Sequence, residues 1–431
     1  MNYYSINQAS SKADFREATL NGQAPDGGLY FPERIPVIDP QLIRDIRQLS
    51  PEDIALHVIE PYIGSAIPRQ ELQRIVRETV DFPFPLIPIT ESIFALELFH
   101  GPTLAFKDVG ARFMSRCLGF FSREEHKRSR VLVATSGDTG GAVADGFYQV
   151  EGVDVVILYP SGKVSGVQEK QLTTHGHNIH ALEVNGNFDD CQRLVKQAFA
   201  DHRLSRELNL TSANSINIAR WLPQQFYYFF ALQQWQQPDP PVFSVPSGNF
   251  GNICAGLLAW KSGLPVAHFI AACNENDTVP RWFNTGKYSP EKAKATLSNA
   301  MDVGDPSNFI RILELFQHDN SSLKKVMSSI SFSDKDTRDA IKYLWQEHQY
   351  MADPHGAVAF NGLTAYQKSH PAAKGIFLET AHPVKFPEVV EEVIGQPIPV
   401  PEKLLPLLEK EKKSTRIDPD FSLLKDFLYA V

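Results

Sequence analysis

Val131-Leu132-Val133-Ala134-Thr135-Ser136-Gly137-Asp138-Thr139-Gly140-Gly141 is an apolar run of strand length that breaks into a glycine-rich turn. The spacing beyond it predicts a helix reaching about Val150. The same unit recurs along the chain. Residues 153–158, 179–184, 242–245, 268–272 and 376–378 read as further buried strands. Helical spacing covers 189–200, 253–260, 309–316, 335–348 and 357–368, and one helix runs through Gln168 and Gln171. Strands alternating with helices of this length imply βαβ units and parallel sheets. The segment 217–235 also reads as helix despite Pro223, with Phe226, Tyr227, Phe229 and Phe230 as core.

Upstream, Gly22 to Gly28 is a turn cluster leading into a short strand at 29–31, and helices are expected at 51–59 and 69–80. Pro83, Pro85 and Pro88 mark one boundary, and Pro238-Asp239-Pro240-Pro241 marks a second. The expected fold is α/β: two parallel-sheet α/β domains with an N-terminal α+β addition. Residues 1–95 would form the addition. Residues 96–240 would form a smaller, mobile domain, and 241–431 a larger one ending in helices. Glu409-Lys410-Glu411-Lys412-Lys413 reads as a solvated charge run without a partner.

At 431 residues the chain exceeds one simple core, and its 43% hydrophobic and 21% charged content is ordinary for a globular protein. A net charge of −8 argues against a general nucleic-acid binder. The 4 cysteines are scattered with no CxxC pair, which predicts free thiols in a reducing compartment and no metal site. No window approaches the ~20 apolar residues of a membrane helix, and Met1 to Ala9 shows no targeting pattern. The expectation is a cytoplasmic protein without nucleic-acid or membrane partners.

The chemistry gathers in a few turns. Lys107 stands between Phe106 and Asp108 after Gly101-Pro102. Desolvation lowers a lysine's pKa, and a neutral amine can condense with an aldehyde. Taken alone, such a lysine more often packs its stem and keeps its head in water. The turn 135–141 offers backbone N–H groups and hydroxyls at a helix start, suited to a carboxylate or phosphate, or it is an ordinary cap. Its Gly-Asp-Thr-Gly-Gly is near a serine-protease sequence, but strand–helix alternation excludes that β-barrel fold. Pro246 to Asn252 is a second such turn, where Gly248 and Gly251 let backbone approach a phosphate monoester. It matches neither the dinucleotide nor the Walker pattern. Asn214, Ser215 and Arg220 form a third donor cluster, and Thr380 follows the last strand.

Together these stretches resemble the threonine synthases, pyridoxal phosphate enzymes of the tryptophan synthase β-subunit fold type. The resemblance spans nearly the whole chain. It includes Asp26 to Pro32, His100-Gly101-Pro102-Thr103, Phe106-Lys107-Asp108, Ser136 to Gly140, Pro246 to Asn252 and Thr380-Ala381-His382-Pro383. The blocks Asn214-Ser215-Ile216-Asn217 and Asn299-Ala300-Met301-Asp302-Val303 are similar to the bacterial and fungal kind in particular.

The resemblance implies that Lys107 holds pyridoxal 5'-phosphate and shuttles protons. Gly248, Asn249, Phe250, Gly251 and Asn252 would cradle its phosphate, and Thr380 would meet the ring nitrogen. Ser136, Asp138 and Thr139 would face the substrate carboxylate, and Asn214, Ser215 and Arg220 the substrate phosphate. Cysteine synthases carry Asn where this chain has Asp138, and an acid beside a carboxylate is expected to be turned away or protonated.

The implied activity is that of a carbon–oxygen lyase acting on a phosphate ester, in threonine biosynthesis. O-phospho-L-homoserine and water would give L-threonine and phosphate by γ-elimination and then β-addition of water, in a monomer or weak homodimer. Two other readings share these parts. A serine/threonine dehydratase-like enzyme would need no substrate-phosphate site. A non-catalytic relative binding a phosphorylated metabolite would be expected to lose Lys107 or the Asn-Ser…Arg cluster.

Overall fold

The computed structural model describes residues 1–431. Two parallel sheets face each other across a cleft, and a small antiparallel sheet precedes them. The six-stranded sheet has the order Met327–Ser331, His268–Cys273, Val242–Pro246, Gly375–Glu379, Ile93–Glu97, Leu86–Pro88. Its pairings are parallel except the last, where Leu86–Pro88 closes the edge antiparallel. The five-stranded sheet is wholly parallel, in the order Ser414–Ile417, Ile179–Val184, Val153–Pro160, Ser129–Ala134, Leu210–Ser212. Asn2–Ser5, Ala13–Asp14 and Tyr30–Pro32 form the three-stranded N-terminal sheet, joined by helices Pro51–Ile63 and Arg69–Thr79.

Burial on both faces explains the unbroken apolar runs of the central strands. In the five-stranded sheet Val131, Val133, Val155 and Ile157 enter the main core, shared with the N-terminal section. Their neighbours Leu132, Ala134, Val156 and Leu158 enter a second core with Leu194, Leu424 and Leu428. Leu424 and Leu428 come from the terminal helix Phe421–Ala430, so the end of the chain seals this smaller sheet. Arg130 donates to the carbonyls of Leu428 and Val431, which fixes that helix in place.

The sheets therefore cut across the contiguous division expected at 95 and 240. Ile93–Glu97 straddles the first boundary and pairs along Gly375–Glu379 in the larger sheet. Ser414–Ile417 and the terminal helix return to the smaller sheet rather than extending the larger unit. The charge run before them is exposed along its length, as expected, but it has partners. Lys412 reaches Glu169 at 2.6 Å and Glu183 at 2.7 Å, beside the strand that returns to the smaller sheet. The segment 217–235 is helical but not continuous α-helix. It passes from Ile218–Trp221 through a 3₁₀ turn, Leu222–Gln225, to Phe226–Gln234. Pro223 lacks an N–H and its ring crowds the preceding turn, and the chain tightens there.

Candidate active site

Every cofactor- and substrate-binding residue expected from the sequence lines one cleft of 1730 Å³ between the two parallel sheets. The topology accounts for this convergence. Thr135 and Ser136 follow strand Ser129–Ala134, and Asn214 follows Leu210–Ser212 shortly after its end. Gly248 follows Val242–Pro246, and Thr380 follows Gly375–Glu379. Parallel α/β sheets present their binding turns at the carboxyl ends of strands, and here two such ends face one another.

Lys107 opens the helix Lys107–Glu125. Its segment is tied to the end of the last large-sheet strand. Leu98 N–H donates to Glu379 O, Phe106 N–H to Thr380 O at 2.8 Å, and His382 N–H to Leu104 O. The Tyr227 hydroxyl donates to Phe106 O from the other side. Asp108 turns inward, accepting from the Thr103 N–H and hydroxyl, so the Gly-Pro-Thr turn and the helix start are one unit. Burial pushes the Lys107 ammonium below its ordinary pKa; Asp138 opposes this, while Lys385 and Arg220 add to it. A lysine so placed has the reactive neutral amine within reach.

In the turn 246–252, Phe250 takes a left-handed conformation, with φ +61°, and packs its ring edge-on against Phe309. That bend sets Gly251 at the start of the helix Gly251–Lys261, whose N-terminus attracts an anion. The two glycines differ in what they permit. A Cβ on Gly248 would lie 2.6 Å from Met301 Cα, so Gly248 is required by backbone packing. A Cβ on Gly251 would lie 3.3 Å from Asn308 Nδ2 and 3.4 Å from Ser215 Cβ, in a space bounded by side chains. The asparagine side chains shape the turn. Asn252 Nδ2 donates to Pro246 O, and Asn249 Oδ1 accepts from Ser307 N–H.

Arg220 is buried, 5% exposed, and its Nε and Nη1 have no hydrogen-bond partner. Burial lowers its pKa to about 10. A guanidinium with free donors in a cleft is poised for an anion. Gly110 allows its approach, since a Cβ there would meet Arg220 O at 2.7 Å. Ser215 and the 246–252 turn, read from sequence as separate anion sites, adjoin through Asn249 and Asn308.

Asp138 departs from expectation. It is neither turned away nor protonated: it lines the cleft, and its Oδ1 lies 2.8 Å from Lys385 Nζ and 2.9 Å from Gln168 Nε2. Burial alone would raise its pKa, but Lys385 and Lys107 outweigh that and hold it below the usual carboxylate range.

Sequence reasoning missed two cations. Lys385 was visible only as the residue two beyond His382-Pro383. Arg311, fully buried, stacks over Trp221 at 4.5 Å and donates to Tyr30 O, Ser215 O and Ile216 O. Its place just after Pro306-Ser307-Asn308 gave no sign of a partner 96 positions away in sequence.

Comparison with known proteins agrees with this fold. The model described as "Pyridoxal-phosphate dependent enzyme" matches residues 83–378. "Threonine synthase N terminus" matches 2–80, and "Threonine synthase, C-terminal" matches 356–428. The threonine synthase of Haemophilus influenzae is 44% identical over 435 residues, covering 99% of each chain. The crystal structure of the Escherichia coli threonine synthase superposes with a TM-score of 0.92 at 42% identity, over 100% of both chains. That of the pyridoxal-phosphate-bound threonine synthase of Brucella melitensis gives 0.94 at 35% identity, over 100% of this chain and 99% of that one.

The cleft fits pyridoxal phosphate on its own terms. It combines a buried lysine of lowered pKa, a helix N-terminus bounded by Gly248 and Gly251, and a buried arginine with unused donors.

Proposed function

The chain belongs to the threonine synthase family of pyridoxal-phosphate-dependent enzymes, and from that premise we propose how its cleft residues divide the work. The reaction is the conversion of O-phospho-L-homoserine and water to L-threonine and phosphate. Bound pyridoxal phosphate supplies an electron sink for the negative charge left on carbon when a proton departs. Lys107 would hold the cofactor through Nζ, and its amine would take the α-proton of the substrate. The same amine would remove a β-proton, which permits the γ-carbon to release phosphate, and would return protons afterwards. Backbone N–H groups of Gly248 to Asn252 hold the cofactor phosphate at the helix N-terminus. Thr380 offers a neutral hydroxyl to the ring nitrogen.

Ser136, Thr139 and the backbone of their turn receive the substrate carboxylate. Arg220, with Asn214 and Ser215, takes the substrate phosphate and offsets the charge that grows as the C–O bond breaks. Closure of the smaller-sheet unit over the substrate would exclude bulk water until water is needed at the β-carbon. We read the enzyme as a cytoplasmic monomer or weak homodimer. Its cysteines are free and buried, as a reducing compartment leaves them.

The observation that carries this reading is the buried Arg220 guanidinium with Nε and Nη1 unpartnered in the cleft that also holds Lys107. A dehydratase would have no phosphate to place there. Protein loaded with cofactor is incubated with O-phosphohomoserine and, separately, with threonine. Equal release of phosphate and threonine from the first, with little keto acid from the second, is expected. Keto acid from threonine without phosphate release from O-phosphohomoserine would favour the dehydratase instead.

A further inference from the structure

Asp138 poses an electrostatic problem for the site. An acid at the start of helix Asp138–Phe147 stands where an anionic amino acid must place its carboxylate. We propose that Lys385 is a positioning residue whose ammonium neutralises Asp138, so that the turn from Ser136 to Thr139 can accept the substrate carboxylate. The inference rests on the reading of the cleft given above.

The geometry is specific. Lys385 is 0% exposed, a burial that lysine tolerates only when paired. Its Nζ lies 2.8 Å from Asp138 Oδ1 and 2.8 Å from Thr103 O. The two residues come from opposite sides of the cleft. Lys385 ends the short turn Pro383–Lys385 after large-sheet strand Gly375–Glu379, and Asp138 follows small-sheet strand Ser129–Ala134. Gln168, from the helix Gly166–Thr173, donates to the same Asp138 oxygen at 2.9 Å. It is pressed against the turn, for a Cβ on Gly137 would sit 2.6 Å from its amide. Asp138 is thus fixed in place and cannot swing away from an arriving anion.

Without Lys385, Asp138 would face the cleft with Gln168 as its remaining side-chain donor. Lys107 also acts on Asp138 through space, but it forms no ion pair with it, and Lys385 is the one salt-bridge partner of that carboxylate. Removing one member of a buried pair leaves an uncompensated charge, whereas removing both can be nearly neutral. That asymmetry distinguishes charge compensation from simple packing. The loss in Lys385→Met should be recovered, in large part, when Asp138 also loses its charge.

Binding of L-threonine and of inorganic phosphate is measured by calorimetry on the full-length, cofactor-loaded protein. L-threonine carries the carboxylate but no phosphate. Lys385→Met should weaken threonine binding by roughly tenfold or more, while phosphate binding stays within about twofold. The double variant Asp138→Asn/Lys385→Met should bind threonine at least about fivefold tighter than Lys385→Met. Equal threonine affinity in Lys385→Met and wild type, or no recovery in the double variant, overturns the proposal. Where Lys385→Met does not fold, the double variant and Lys385→Arg carry the test. Both should bind threonine, and failure of either overturns it. Wild-type protein that neither binds threonine nor releases phosphate from O-phosphohomoserine would count against the functional reading instead.

Discussion

Asn249 Nδ2 donates to Ser215 Oγ over 2.7 Å, and this bond joins the 246–252 turn, proposed for the cofactor phosphate, to the 214–220 cluster, proposed for the substrate phosphate. Asn308 Nδ2 donates to the same hydroxyl oxygen at 3.2 Å. With its acceptor capacity met by two amides, the Ser215 O–H is left to donate.

Ser215→Ala should therefore disturb both phosphates. It removes one donor to an anion and leaves the part-buried Asn249 amide short of an acceptor, while Asn308 keeps its bond to Asn249 O, a loss of about 1–3 kcal/mol. Cofactor affinity, measured by equilibrium dialysis, and KM for O-phosphohomoserine should both worsen by roughly tenfold. A change in KM alone, with cofactor retention unaltered, would mean that the two sites work independently.

Arg220→Ala should separate them. Its free donors suit the substrate phosphate, so the cofactor absorbance should persist while kcat/KM falls by about one to two decades, the worth of roughly 1.5–3 kcal/mol per charged hydrogen bond. Wild-type turnover by this variant would place the substrate phosphate elsewhere.

Arg311 should behave oppositely, because its bonds go to the protein. Burial lowers its pKa to about 10, and its donors hold the Tyr30, Ser215 and Ile216 carbonyls together. Arg311→Met would leave those carbonyls unsatisfied and loosen the junction between the N-terminal section and the cleft. Urea unfolding should show a loss of about 3 kcal/mol even without cofactor. Stability equal to wild type would show that the junction does not depend on this cation.

How much of this was legible follows from strand position. Central strands such as Val153–Pro160 are buried on both faces and announce themselves as apolar runs. The strands that escaped notice are mostly edges. Leu86–Pro88, Leu210–Ser212, Met327–Ser331 and Ser414–Ile417 each pair on one side only. Met327–Ser331 is largely serine, and Ser414–Ile417 has no apolar run. Ile93–Glu97 was hidden differently: it lies beside the proline cluster, and its partner Gly375–Glu379 is distant in sequence.

The same distinction governs the site. Gly248 and Thr380 sit in short motifs at strand ends and Lys107 in one at a helix start, where local residue types carry the chemistry. Asp138 was read without its counter-ion because Lys385 lies in another strand-end turn, brought near only by folding. Arg311 likewise acts on carbonyls whose positions depend on the tertiary structure.

Acid should weaken the fold across a defined window. Burial lowers the pKa of both His268 and His382 to about 4, with His370 adding to the first and Lys403 and His100 to the second. The unfolded chain takes up protons near pH 6.5, the ordinary imidazole value, while the folded chain resists until about 4. Stability is thus fully present above pH 6.5 and declines as pH falls toward 4. His268→Gln should reduce that decline by about 1 kcal/mol, allowing for partial exposure. Urea midpoints measured at pH 7, 6, 5 and 4 check this; identical slopes in variant and wild type would remove His268 from the account.

The central claim is that Lys107 is the lysine that holds the cofactor. Borohydride reduction of the protein loaded with pyridoxal phosphate, followed by peptide mapping, tests it directly. The account predicts a single labelled peptide carrying the modification on Lys107. A label on Lys385 or Lys163, with Lys107 unmodified, would contradict it.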